Sequence, residues 1–324
     1  MPHDEMLRCR EILRLVRVMV PLGINRIRLT GGEPLVRRGI LALARQIKAI
    51  PGIEFLGLTT NGILLAEQAP RLRSAGVDGL NISLDTLDPQ RYRHITGHSG
   101  LARVQKGIEA ALSLPFSSVK LNCVLAPQSE PRDWLSVVGL AKDLPLTVRL
   151  IEWMPMAGES SKALISGPEA LRQIGAVYGT PEPVPEEPTP HRSSSTPQLS
   201  SSAPPVSFEA DPSMLPGVPD PAIPSPAPKG GPARTWQIPG FRGKIGIIHA
   251  ISHAFCDECN RLRLTAAGDL KLCLFYDTGL SLKPLLRSGA TDQALSDAIL
   301  NAIRHKPKAH AGVLRPAGMY QTGG

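Results

Sequence analysis

Ile24-Asn25-Arg26-Ile27-Arg28-Leu29-Thr30 runs directly into Gly31-Gly32-Glu33-Pro34. Aliphatic and polar residues alternate along it, the period of a strand with two unlike faces. The double glycine then permits a positive φ or a close approach of backbone to ligand, although on spacing alone an ordinary βα turn is the better explanation. The same construction recurs at 55–60, 79–84, 119–125 and 146–153, each segment ending in a polar or glycine turn. Amphipathic helical stretches at 11–20, 41–50, 64–75, 101–112 and 134–142 lie around and between these segments. Strand starts a few tens of residues apart are the spacing of successive βα units and a parallel sheet. The expected fold class is α/β, with most of a (β/α) barrel. Chemistry in such folds gathers at the C-terminal ends of strands, here 30–34, 59–62, 83–85, 120–122 and 149–154.

Composition sets the outer limits. At 324 residues, with 42% apolar and 20% charged, the chain has the make-up of a globular protein. No apolar run approaches the roughly 18 residues of a membrane span. Acids within the first five residues argue against a signal peptide, so a cytoplasmic location and no membrane partner are expected. Sixteen of the 32 prolines fall between 181 and 232, among serine runs. The expected organisation is a barrel over 1–180, a disordered Pro/Ser-rich insert over 181–232 and a C-terminal region over 233–324. Pro-x-x-P spacings in the insert would suit an SH3-like partner, and a plain spacer has the same composition. Net charge is +8, and residues 234–324 hold 12 Lys and Arg against 6 Asp and Glu. That excess suits an anionic partner. With 13 aromatic residues in all, stacking platforms for nucleic acid are not expected, and a small phosphorylated molecule fits better.

Cys256-Asp257-Glu258-Cys259 followed by Cys273 has the spacing C-x2-C-x13-C. Three readings compete: a zinc site completed by His253 or His249, an iron–sulfur cluster with one open iron, or two unrelated buried thiols. Arg261-Leu262-Arg263 follows at once, and guanidinium groups beside a metal suit an anionic ligand. Arg28 and Lys120 sit inside β segments. Turned inward they would fit a phosphate site; turned outward they would make surface salt bridges.

With these residues assembled, the chain resembles the GTP 3′,8-cyclases of molybdenum cofactor biosynthesis, a radical S-adenosylmethionine (SAM) family. The resemblance is carried by 27–35, 59–62, 81–89, 119–122, 149–155, 255–268 and 271–275, with a terminal Gly323-Gly324. It implies an incomplete triosephosphate-isomerase-type barrel with a C-terminal iron–sulfur region. Cys256, Cys259 and Cys273 would hold a [4Fe-4S] cluster whose open iron takes the guanine of GTP. Arg28, Thr59, Lys120, Arg261, Leu262 and Arg263 would contact GTP, and Gly32, Ser83 and Met154 would contact SAM. Glu33 and Arg149 would be further contacts. The implied reaction abstracts hydrogen from ribose C3′ and joins C3′ to C8, giving (8S)-3′,8-cyclo-7,8-dihydroguanosine 5′-triphosphate. A reducing electron donor, a downstream cyclic pyranopterin monophosphate synthase and a homodimer are the partners it suggests.

The chain departs from the family in a small way at 126–132, where an Asn-Asp-x-Glu segment is replaced by Ala-Pro-Gln-Ser-Glu-Pro-Arg, and in its long Pro/Ser insert. The larger departure is at its start. The first barrel strand and the Cys-x3-Cys-x2-Cys loop of a second [4Fe-4S] cluster are absent, and Cys9 has no neighbours to replace them. The polypeptide is therefore expected to bind one cluster and GTP without generating the radical. A non-catalytic remnant and a zinc-stabilised module are the alternatives to the cyclase.

Overall fold

A computed structural model describes residues 5–154, 164–185, 233–250, 252, 259–275 and 279–307. Strands β1 (Arg26–Leu29), β2 (Phe55–Thr60), β3 (Gly79–Ser83), β4 (Ser118–Leu125) and β5 (Thr147–Glu152) pair in sequence order, all parallel. Beyond them come β6 (Glu182–Pro183), β7 (Ala233–Gln237) and β8 (Lys244–Ile248). β8 joins β5 in parallel, and β7 and then β6 extend that edge antiparallel. The architecture is the expected α/β, incomplete (β/α) barrel.

Two features lie outside the sequence expectation. Residues 233–248 supply strands to the barrel's own sheet. Glu182 and Pro183, inside the stretch read as insert, pair with Gln237 and Trp236. Proline is tolerated there because, among the described residues, β6 is an edge strand with no further neighbour to receive its missing N–H. The remainder of the insert, 186–232, lies outside the described residues.

Helices α1 (Cys9–Met19), α2 (Ile40–Lys48), α3 (Leu65–Ser74), α4 (Pro89–Thr96), α5 (Leu101–Leu112), α6 (Pro131–Asp143) and α7 (Gly167–Tyr178) accompany the parallel strands. α4 and α7 were not expected from periodicity. Each is instead announced by its start: Asp88 accepts from the N–H groups of Gln90 and Arg91, and Ser166 accepts from that of Glu169, with proline in both first turns. The main core fills the space between sheet and helices, with Leu56, Leu58, Leu80, Ile82, Leu121, Val148 and Leu150 fully buried.

A second core belongs to the C-terminal region. There β9 (Arg263–Leu264), β10 (Asp269–Lys271) and β11 (Gly279–Ser281) form a small antiparallel sheet beside α8 (Lys283–Arg287) and α9 (Asp292–Arg304). Leu270, Leu272, Leu282, Leu295 and Ile299 pack there against Leu7, Leu15, Val18 and Met19. Helix α1 therefore contributes Leu13 and Val16 to the barrel core and Leu15, Val18 and Met19 to the second. Among the described residues no helix is long and apolar enough to cross a membrane.

Candidate functional site

Strand register decides which side chains share the lumen of the barrel, because residues paired across parallel strands point to the same face. Three rungs cross the sheet. The first is Arg28, Gly57, Gly79 and Ser118, the second Thr59, Asn81, Lys120 and Thr147. The third is Ser83, Asn122, Arg149 and Gly246. The alternate residues of β4 and β5, among them Val119, Leu121, Cys123, Val148 and Leu150, are buried in the main core. The rungs therefore face the lumen, and they are polar or glycine. A parallel sheet packed on both faces would read as aliphatic throughout, so this face has the composition of one that meets solvent or a ligand rather than a core.

Glycine makes the room. A Cβ on Gly57 would stand 2.7 Å from an Arg28 guanidinium nitrogen, and one on Gly79 2.8 Å from the Phe55 ring. One on Gly246 would meet Arg149 Cγ at 3.1 Å. Arg26 and Arg28 lie 4.3 and 5.9 Å from the centre of the Phe55 ring, which faces both with its π electrons. Neither Arg26 nor Phe55 was singled out in the sequence. Their signal lay in the alternation of β1 and in the glycines opposite.

The lumen is strongly positive. Burial, together with the charges of Arg149, Arg28 and Arg26, pushes Lys120 down to about 8. Burial and then the charges of Arg28 and Arg261 push Arg149 down to about 10. Arg28 is lowered by burial and by Arg26 and Arg261. Among the described residues no carboxylate lies within ion-pair distance of Arg28, Lys120, Arg149 or Arg263. Cations crowded together without an anion destabilise one another, and a polyanion entering the lumen reverses that cost.

Arg261 carries this positive region toward the cysteines. It lies within electrostatic reach of Arg28 and Arg149 on one side and of Cys259 and Arg263 on the other. Arg263 in turn senses both Cys259 and Cys273. Burial opposes ionisation of the Cys259 thiol, yet the Arg261 N–H and the charges of Lys306 and Arg261 outweigh it and hold its pKa below the ordinary value. A thiolate favoured by neighbouring cations is the donor chemistry of an iron–sulfur or zinc centre, so Cys259 fits one, and Cys273 brings a second sulfur within electrostatic reach of the same Arg263. Cys256 and His253 lie outside the described residues. His249, weighed as a zinc ligand, instead has Nδ1 3.1 Å from Ser252 Oγ and 3.4 Å from Glu152 Oε1. Leu262 packs its side chain against the second core.

The residues expected to meet SAM stand at strand ends. Gly31 takes the positive φ, +100°, while a Cβ on Gly32 would meet nothing within 4 Å. The first glycine thus makes the turn and the second leaves an open approach to the backbone. Glu33 Oε1 accepts from Thr60 Oγ1 at 2.8 Å and Oε2 from the Asn61 N–H at 2.7 Å, tying the ends of β1 and β2 together. Ser83 opens into a cavity of about 80 Å³ that Asn61, Asp85 and Tyr92 also line. Met154 follows β5, two residues past Glu152.

Known proteins match the chain along nearly its whole length. The Radical SAM superfamily matches residues 1–141 and Molybdenum Cofactor Synthesis C matches 220–312. A GTP 3′,8-cyclase of Moorella thermoacetica is 38% identical over 327 aligned positions, covering 99% of this chain and 88% of that protein. Molybdenum cofactor biosynthesis protein 1 of Bos taurus is 36% identical over 98% of this chain, which spans 44% of that longer protein. The mitochondrial GTP 3′,8-cyclase of Arabidopsis thaliana is 35% identical over 97% of this chain and 70% of its own length. A solved structure of anSMEcpe with bound AdoMet is 14% identical, covers 53% of this chain and 51% of its own, and has a TM-score of 0.43. A relative sharing more than a third of its residues along nearly the whole chain settles the classification: the chain belongs to the GTP 3′,8-cyclase family of radical SAM enzymes.

Proposed function

We propose that this chain binds GTP in the barrel lumen and serves the GTP 3′,8-cyclase step of molybdenum cofactor biosynthesis. The observation that carries the reading is the set of lumen cations, Arg28, Lys120 and Arg149, with no carboxylate partner among the described residues. A triphosphate matches them in charge, and guanidinium groups grip its oxygens in pairs. Arg261 and Arg263 would extend that grip, and Thr59 would add a hydroxyl. The guanine end would then lie toward the centre held by Cys256, Cys259 and Cys273. Gly32, Ser83 and Met154 would hold SAM at the neighbouring strand ends.

When bound, the iron–sulfur centres and SAM supply hydrogen-atom abstraction from ribose C3′, ahead of C3′–C8 bond formation. The protein's part is to fix the two ligands so that C3′ is within reach, and to exclude water and stray hydrogen donors. No Cys-x3-Cys-x2-Cys occurs in residues 1–324, so the proposal gives the SAM-cleaving centre no ligand here.

One experiment tests this reading. The chain is reconstituted anaerobically, and iron, zinc, GTP affinity and 5′-deoxyadenosine formation under reduction are measured. About four irons per chain with GTP binding supports the site, and one zinc without GTP binding overturns it. Given the site, 5′-deoxyadenosine formation would add that the chain turns over SAM.

A further inference from the structure

Lys306, two residues beyond α9, belongs to none of the roles above. Its Nζ donates to Cys259 Sγ at 3.5 Å and to the Arg261 carbonyl at 2.7 Å. One ammonium group thus holds a cysteine sulfur and the backbone of Arg261, whose charge is felt by Arg28 and Arg149. The helix behind it is firmly seated. Leu295 and Ile299 of α9 are fully buried in the second core, Thr291 caps its start, and Arg14 of α1 pairs with Asp292 at 2.7 Å. The Lys306 N–H also continues the helical pattern by bonding the Ile303 carbonyl at 3.0 Å. The side chain is half-buried, so its charge is less screened than that of a surface lysine.

We propose that Lys306 is a positioning residue for the cysteine-held iron–sulfur centre, fixing Cys259 and the Arg261 backbone in one geometry and balancing negative charge at the sulfur. The inference rests on reading Cys259 as a cluster ligand. Groups that hydrogen-bond metal ligands orient them and tune the metal, and their loss commonly weakens metal retention by about 10- to 100-fold. Hydrogen bonds to sulfur and local net charge also set the reduction potential of a cluster.

The test compares reconstituted full-length wild type with Lys306→Met, Lys306→Gln, Lys306→Arg and Cys273→Ala. It reads iron and sulfide content, the rate of iron transfer to a chelator, and the midpoint potential followed by electron paramagnetic resonance. Lys306→Met is expected to release iron about 10-fold faster or more and to have a more negative midpoint. Lys306→Gln should fall between it and wild type, and Lys306→Arg should stay close to wild type. A purely structural lysine would leave the midpoint unmoved. Folded Met and Gln variants with wild-type release rate and potential overturn the proposal, and should Met not fold, Gln alone decides it. If Cys273→Ala keeps its full iron, the cluster reading itself fails. If Cys273→Ala loses iron while the Lys306 variants match wild type, only the role of Lys306 fails.

Discussion

Asn122 Oδ1 accepts from Arg149 Nε at 3.0 Å and from Nη2 at 2.6 Å, across the rung where β4 and β5 are in register. The neutral amide fixes the guanidinium without cancelling its charge. Arg149 is thereby aimed into the lumen and left attractive to an anion. Asn122→Ala should keep the charge and lose the aim, weakening GTP binding about 10-fold, the equivalent of one charge-assisted hydrogen bond. Arg149→Ala should weaken it further. Isothermal titration of each variant with GTP is the check, and unchanged affinity in Asn122→Ala would show that the amide does not orient a GTP contact.

Lys120 gives the site a pH dependence. Its pKa in the unliganded protein is pushed from 10.5 to about 8, by burial and by Arg149, Arg28 and Arg26. Only the charged ammonium attracts phosphate, so GTP affinity should fall as pH rises through 8, with proton uptake on binding above that pH. Stability moves the opposite way. Between about 8 and 10.5 the unfolded chain binds the extra proton, so this lysine's contribution makes the unliganded fold more stable as pH rises through that window. Lys120→Met should flatten both trends. Titrations at pH 7 and 9 with matched salt would expose an affinity that does not depend on pH, which is the outcome against this assignment.

Glu152 points away from the lumen, and its carboxylate joins three segments. It accepts from the Gly167 N–H at 2.8 Å, the Ser252 N–H at 3.0 Å and the Ser252 hydroxyl at 2.5 Å, with His249 Nδ1 3.4 Å away. Burial opposes its charge, but the hydrogen bonds from His249, Ser252 and Gly167 outweigh burial and hold the pKa at about 2. The stability this gives is present above the ordinary value of 4.5 and is lost as pH falls from there through about 2. Glu152→Ala should lower the thermal midpoint at pH 7 by about 5 °C or more, since buried donors lose their acceptor. It should also remove this residue's share of the acid transition. A melting series from pH 2 to 7 tests both.

The five parallel strands β1–β5 and helices α1, α2, α3, α5 and α6 were legible because alternation and amphipathicity are local patterns, whereas β6–β11, α7, α8 and α9 were not read. α4 escaped because one residue, Tyr92, is all it buries, so it has no apolar stripe to read. In the site, the cations Arg28, Lys120, Arg261 and Arg263 were visible, but their direction was not. Parity along a strand fixes which residues share a face, and only register with the neighbours tells which face is the lumen. Gly57, Gly79 and Gly246 carried no message alone, because what they make room for comes from other strands. Lys306 is 47 residues from Cys259, and no local pattern joins them.

Gly31 and Gly32 look interchangeable in the sequence and are not so in the fold. Gly31 adopts φ +100°, so Gly31→Ala should strain the turn and cost about 1 kcal/mol of stability. A Cβ at Gly32 meets open space and requires no positive φ, so Gly32→Ala should leave stability within about 0.5 kcal/mol of wild type. If SAM lies against the Gly32 backbone, the added methyl group occupies the ligand's space instead, and SAM affinity should drop about 10-fold or more. Denaturant melts and equilibrium dialysis with SAM measure the two effects separately. Gly32→Ala that is stable and binds SAM as wild type does would place the cofactor elsewhere, whereas loss of binding with stability intact assigns the open face of Gly32 to it.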